Sequence, residues 1–221
     1  MAKTSTPGFD PQSYSGLDQL GRIRLSRSFH LREFRYSEIA VHYGLRNVPE
    51  TGRVDDAVHA GSKLCTLLLE PLQDQFGRIH VRSGYRSRQV NAAGVGKHQC
   101  AANNDGFHTW DYPSEKHGRG ATACISVPAA SRAILSGQVA YEALAWWIHD
   151  RLPGWSYVEF FATPEHSDEV CFNIGWHEQP TKTMTTWRGG TRSLLARIPP
   201  DGERLALSQS LIKCSYLSDK A

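Results

Sequence analysis

Ser83-Gly84-Tyr85-Arg86-Ser87, followed by Asn91 and then by His117-Gly118-Arg119-Gly120-Ala121-Thr122-Ala123-Cys124, is the stretch on which the chain turns. Upstream, Ile79, Val81 and Ser83 alternate with Arg78, His80 and Arg82, the period of a half-buried strand that delivers the Gly-Tyr-Arg turn. Downstream, a histidine and a cysteine seven residues apart, with small residues between, have the character of two metal ligands on a tight turn and the strand after it. Arg86 has the character of an anion hook. His98, Cys100 and His108 add metal-capable side chains to the same stretch, but no Cys-x-x-Cys pair accompanies them, so the residues alone favour loop and surface histidines.

Working outward, Val54 to Phe76 predicts a long helix, with Gly61, Leu64, Cys65, Leu68 and Leu72 on one face, a kink or last turn at Pro71 and a stop at Gly77. Ser37 is an N-cap for a short helix ending at Gly44. Residues 92–116 turn polar and predict a long loop, expected as a contact surface. Thr122 to Val127 predicts a strand ended by Pro128, and Gly137 to Leu152 a second helix. Strands follow at Tyr157–Ala162 and Glu169–Trp176, joined by a turn at residues 164–168. In the second strand Val170, Phe172 and Ile174 share one face, and Cys171, Asn173 and Gly175 the other. Residues 1–28 and 178–221 are polar and predict two extended arms around a domain at 29–177, the second arm carrying a short strand or helix at Leu205–Leu211.

Composition narrows the function classes. A net charge of +3 is too small to imply a nucleic-acid partner, and the arginines at 22, 24, 27, 32 and 35 read as a solvated face. No run approaches the ~18 apolar residues of a membrane span. The N-terminus has no apolar core of a secretory signal, so synthesis and folding in a cytoplasm are expected. Five cysteines without a compact framework predict free thiols, with Cys65 packed on its helix and Cys214 the candidate for an intermolecular contact. Trp146, Trp147, Trp155 and Trp176 could form a glycan platform, but scattered Trp is common in small α+β domains, and Trp147 is expected in the core.

Phe29 to Pro49, the Leu-Leu-Leu-Glu-Pro-Leu end of the helix, Ser83-Gly84-Tyr85-Arg86-Ser87, Asn91 and His117-x-x-Gly120-x-x-Ala123 together resemble the zinc D-alanyl-D-alanine carboxypeptidases. That family includes bacteriophage L-alanyl-D-glutamate endopeptidases and shares its fold with the Hedgehog amino-terminal domain. The resemblance covers about residues 29–177. It implies an α+β fold, helices packed on a small antiparallel sheet, with a zinc held by a His, an Asp and a later His. It also implies an acid as base and the turn's Arg on substrate.

Carried over, His117 and Arg86 stand at family positions, while Cys124 replaces the Asp, Asn173 the last His and Val170 the base. Three protein ligands and an open position make a catalytic zinc, and an amide oxygen is a poor substitute for imidazole. The expectation is therefore no catalytic residue beyond a vestigial Arg86 and no metal at His117, Cys124 and Asn173. Those three side chains are nevertheless expected to converge. His98 and His108 are the candidates that would complete a rearranged zinc site.

The resemblance implies a non-catalytic structural or adaptor protein, a bacteriophage virion component of capsid, neck or tail. It would be made in the host cytoplasm and contact other virion proteins or its own copies through the arms. The competing readings are a zinc-dependent peptidoglycan peptidase and a cell-wall-binding module. Neither specific nucleic acid nor a membrane is an expected partner.

Overall fold

The computed structural model describes residues 13–98, 100–161 and 169–217. The architecture is α+β, with helices packed against one open six-stranded sheet. Among the described residues no helix is long and apolar enough to cross a membrane.

The chain enters through α1 (Tyr14–Gly21), capped by the Ser13 hydroxyl, which accepts from the Gly16 amide at 3.0 Å. A 3₁₀ turn (Leu31–Phe34) and α2 (Glu38–His42) follow, the latter capped by Ser37 as expected. The long helix is continuous but not uniform. α3 (Val54–Leu64) passes through a π-helical turn at Cys65–Leu69 into α4 (Glu70–Phe76). Pro71 has no amide hydrogen to donate and its ring crowds the preceding turn, so the backbone widens just before it. Cys65 and Leu68 remain fully buried, and Gly77 ends the helix at φ 76°.

β1 (His80–Ser83) leads into α5 (Arg88–Gly94), whose cap, Ser87, lies in the opening motif. β2 (Gly120–Ser126), α6 (Pro128–Leu135), α7 (Glu142–Arg151), β3 (Tyr157–Phe160), β4 (Cys171–His177), β5 (Thr183–Thr186), β6 (Arg192–Ser193) and α8 (Asp201–Leu217) complete the order. Pro128 does end the strand, but it also opens α6, because the first helical position needs no amide donor. The expected turn at residues 164–168 lies outside the described residues.

The sheet runs β1-β2-β4-β3-β5-β6. It is not wholly antiparallel, as the resemblance implied: β3 and β5 pair in parallel, so the sheet is mixed. Its core face carries Ala121, Ala123, Ile125, Val158, Phe160, Phe172 and Ile174, all fully buried. β4 is buried along its whole length, as a central strand covered on both faces must be.

Two expectations are corrected. Residues 13–28 are not an extended arm. Leu20 and Leu25 join the core, and the 26–28 turn is held by Glu70, which accepts from Ser26 Oγ (2.7 Å) and from the Ser28 amide (2.6 Å). The second arm is not extended either. β5 and β6 extend the sheet, and α8 lies on α6 and α7 with Leu211 fully buried. The loop before β2, expected as a contact surface, is buried at its middle, at Thr109, Trp110 and Asp111. Trp110 closes the core under the loop, donating from Nε1 to the Thr122 carbonyl at 3.2 Å.

Candidate functional site

Arg86 is positioned by its neighbours' backbone. Buried Asn47 donates from Nδ2 to the Tyr85 carbonyl (2.7 Å) and accepts from the Ser87 amide through Oδ1 (2.8 Å). The Tyr85 amide donates to Phe34, the Arg86 amide to the His108 carbonyl, and the Tyr85 hydroxyl to Asp111. Gly84 is required by closeness, for a Cβ there would stand 2.8 Å from Phe34 Cβ. Five contacts thus fix the Ser-Gly-Tyr-Arg-Ser turn, and the guanidinium projects beyond it.

The strand register then sets out a row. Ser83 pairs with Cys124, Cys124 with Asn173, Asn173 with Glu159 and Glu159 with Thr185. Paired residues point to the same face, so the row crosses the sheet on the face away from the core with one residue per strand. Ser83, Cys124, Asn173 and Glu159 of this row line a cavity of about 450 Å³ together with Arg86, His108 and Tyr157. A larger, more open groove of about 1020 Å³ beside β1 contains none of these groups except the neighbourhood of Arg82.

Only part of the expected triad converges. Cys124 and Asn173 are cross-strand neighbours, as their parity required. His117 is not with them. It sits in the Ser114–Gly118 turn ahead of β2, its Nδ1 3.2 Å from the Gln179 carbonyl and its ring centroid 5.7 Å from that of His177. Gly120 pairs with His177 at that end, and four residues of strand, about 13 Å, separate it from Cys124. Phe107 lies between the two regions, its ring 4.4 Å from that of His177.

His108 takes a place in the cavity instead. The Thr122 amide donates to the Phe107 carbonyl at 2.8 Å, which draws residues 107–109 alongside β2. His108 Nδ1 lies 2.7 Å from the Gly84 carbonyl; a carbonyl only accepts, so Nδ1 carries the hydrogen and Nε2 the lone pair. Burial, helped by the nearby charge of Arg86, lowers its pKa to about 3. His98 also lines the cavity and contacts the Tyr43 hydroxyl at 3.2 Å. Cys214, the expected interface thiol, is half-buried on α8 against the core.

Among the described residues the Arg86 guanidinium has no carboxylate partner, and its Nη1 donates to Cys100 Sγ at 3.0 Å. Cys124 is a protonated thiol at neutral pH, burial pushing its pKa up to about 12. The hydroxyl Oγ1 of fully buried Thr122, in the cavity wall, has no hydrogen-bond partner.

Glu159 was not expected in the site. It accepts at Oε2 from the Tyr157 hydroxyl (2.6 Å) and from Asn173 Nδ2 (3.3 Å), and at Oε1 from Trp187 Nε1 (2.8 Å). The signal was present, because Tyr157-Val158-Glu159-Phe160 alternates and places the acid opposite Asn173. Burial, then Glu159, raises the Tyr157 pKa. Glu169, beside the absent base position, is held by Arg82 (2.7 Å), Ser126 Oγ (2.9 Å) and His80 (3.0 Å) at the strand's far end.

The residues do not fit a catalytic zinc. His108 Nε2 and Cys124 Sγ are the plausible donors on the floor, and Asn173 turns its amide nitrogen toward Glu159. Among the described residues no three His, Cys, Asp or Glu side chains lie close enough to share an ion. Comparison with models of protein families, with curated proteins and with solved structures gave no match to this chain.

Proposed function

We propose that this chain is a non-hydrolytic relative of the zinc D-alanyl-D-alanine carboxypeptidases that binds a carboxylate-bearing peptide of the peptidoglycan-stem kind. The finer fold reading, a Hedgehog/DD-peptidase-like core, belongs to the same proposal. The observation that carries the binding is Arg86: a guanidinium on a backbone-fixed turn, in the wall of a cavity, with no carboxylate partner among the described residues. Such a group offers two parallel N–H donors to a carboxylate and needs no reorganisation to do so.

Supporting the loss of hydrolysis is the chemistry of the row. Asn173 cannot supply an imidazole lone pair, Val170 cannot take a proton, and His117 stands with His177. His108 supplies a neutral imidazole and Cys124 a thiol, which orient and desolvate a bound peptide but leave no activated water. The virion placement followed from the resemblance, with two extended arms among its motivating features. With residues 13–28 and β5 to α8 folded onto the core, a binding module is the better supported form of the non-catalytic reading.

Calorimetry with D-alanyl-D-alanine and L-alanyl-D-glutamate peptides tests this, alongside release of muropeptides from purified sacculi. Binding that weakens by about tenfold or more in Arg86→Gln, without release of product, supports the reading. Zinc-dependent release that vanishes in His108→Ala favours the peptidase instead. Absence of binding to any carboxylate-bearing peptide ends the proposal.

A further inference from the structure

Two unpaired charges of opposite sign line the one cavity. Arg86 stands at the β1 end of the row and Glu159 on β3, and among the described residues neither has an oppositely charged partner. Strand spacing sets apart the backbone that carries them: from Ser83, three residues before Arg86, to Glu159 is three steps across the sheet, about 14 Å at ~4.8 Å per strand.

Aromatic groups surround the acid. Tyr157 donates to it from within the cavity, and Phe107 and Phe161 line the same space. Trp187 is bonded to Glu159 through Nε1, which fixes the indole, yet the residue is 52% exposed. The other five tryptophans are each at most 9% exposed. An exposed, anchored indole beside a carboxylate that lacks a cation is the arrangement that attracts an ammonium group, by charge and by the ring faces together.

We infer that the cavity takes an extended zwitterionic peptide, its carboxylate on Arg86 and its free ammonium on Glu159 beside Tyr157 and Trp187. An extended chain advances about 3.3–3.6 Å per residue, so a span of ~14 Å corresponds to about four residues. The inference rests on the carboxylate-binding reading and adds a second recognition point, which selects for a free amino group and for length. Thr122 Oγ1, buried in the cavity wall without a partner among the described residues, is placed to bond the peptide's backbone.

The test compares tetraalanine with its N-acetyl and its C-amide derivatives, and with dialanine, by calorimetry on the full chain. Tetraalanine is expected to bind best. N-acetylation and C-amidation are each expected to weaken it by about tenfold or more, the scale of one charge-assisted hydrogen bond. In Glu159→Gln the cost of N-acetylation falls to about onefold while the cost of amidation remains. Circular dichroism verifies that variant's fold, and the comparison on the unaltered chain needs no variant. If amidation matters and acetylation does not, the ammonium subsite is wrong and carboxylate binding stands. If no tetraalanine derivative binds, both fall.

Discussion

Asn173 stands directly opposite Cys124 across the β2–β4 ladder, and its amide nitrogen donates to Glu159 at 3.3 Å. That one relationship ties the middle of the sheet into a hydrogen-bonded row. It also decides what the row can do. The amide serves as a bridge between strands, and the carboxylate it bridges to is the group left facing the cavity with a charge. A histidine at the same position would have presented a lone pair to whatever lay above Cys124.

Asn173→His therefore makes a specific prediction. With Cys124 across the β2–β4 pair and His108 lining the same cavity, a third nitrogen or sulfur donor should raise cobalt(II) affinity on the order of tenfold or more, visible as thiolate charge-transfer absorption. Adding His108→Ala to that variant should remove the gain, and adding His117→Ala should not. Loss of the gain on removing His117 would show that His117, rather than His108, belongs to the site.

Two buried histidines set the acid side of the stability curve. His108 has its pKa lowered to about 3 and His177 to about 4, in both cases chiefly by burial. Their unfolded value is about 6.5, so between about pH 6.5 and pH 4 the unfolded chain binds more protons than the folded one. The stability they contribute is complete above about pH 6.5 and is lost as pH falls through the folded values. Glu70, Asp150 and Glu169, each held below the usual carboxylate range, act the same way only lower in pH. Asp111, raised by burial, acts in the opposite sense. The urea midpoint should thus fall from pH 6.5 to 4.5, and His177→Gln should flatten that fall. An unchanged slope in the variant would mean that His177 is protonated in the folded chain.

Strand parity was legible in the sequence, and it located the row correctly: Cys171 to Ile174 alternate as observed, and the apolar stripe of residues 54–76 marked the long helix. The choice between His117 and His108 was not legible. The His-x-x-Gly spacing fixes only an offset along the chain, whereas the bond from the Thr122 amide to the Phe107 carbonyl, across intervening loop, decides which imidazole reaches the floor. α8 was legible only in its middle, as a short strand or helix at Leu205–Leu211. Ser208, Ser210 and Ser215 interrupt its apolar stripe, although Ser208 and Ser215 are themselves buried against the neighbouring helices. Residues 13–28 looked like an arm because their anchor, Glu70, lies far along the chain on another helix.

The loop ahead of β2 carries a sharp stability prediction, because its middle is core and not contact surface. Trp110 is 1% exposed and packs on Phe34 and Tyr85 at ring separations of 5.3 and 6.1 Å. Trp110→Ala should cost about 3–5 kcal/mol in chemical denaturation, as large-to-small changes in cores do. Gly120→Ala should cost about 1–3 kcal/mol by overpacking, since its Cβ would fall 2.1 Å from the Gly106 carbonyl oxygen and 2.3 Å from His177 Cδ2. Costs below ~0.5 kcal/mol, the range of ordinary surface changes, would return the loop to the surface.

Removal of the C-terminal helix separates an arm from a structural element. α8 covers α6 and α7, and on it Leu211 is fully buried while Leu207, Ile212 and Cys214 pack against the same core. Arg204 adds a two-pronged contact to Asp150, with Nε 3.1 Å from each carboxylate oxygen. Burying one leucine side chain is worth about 1.5–3 kcal/mol, so a chain stopped after Pro200 loses several kcal/mol and uncovers an apolar face on α6 and α7. Such a chain should melt well below the full protein and bind a hydrophobic dye before it unfolds. A truncated chain with an unchanged melting temperature and no dye binding would show that the helix is an appendage and that the core closes without it.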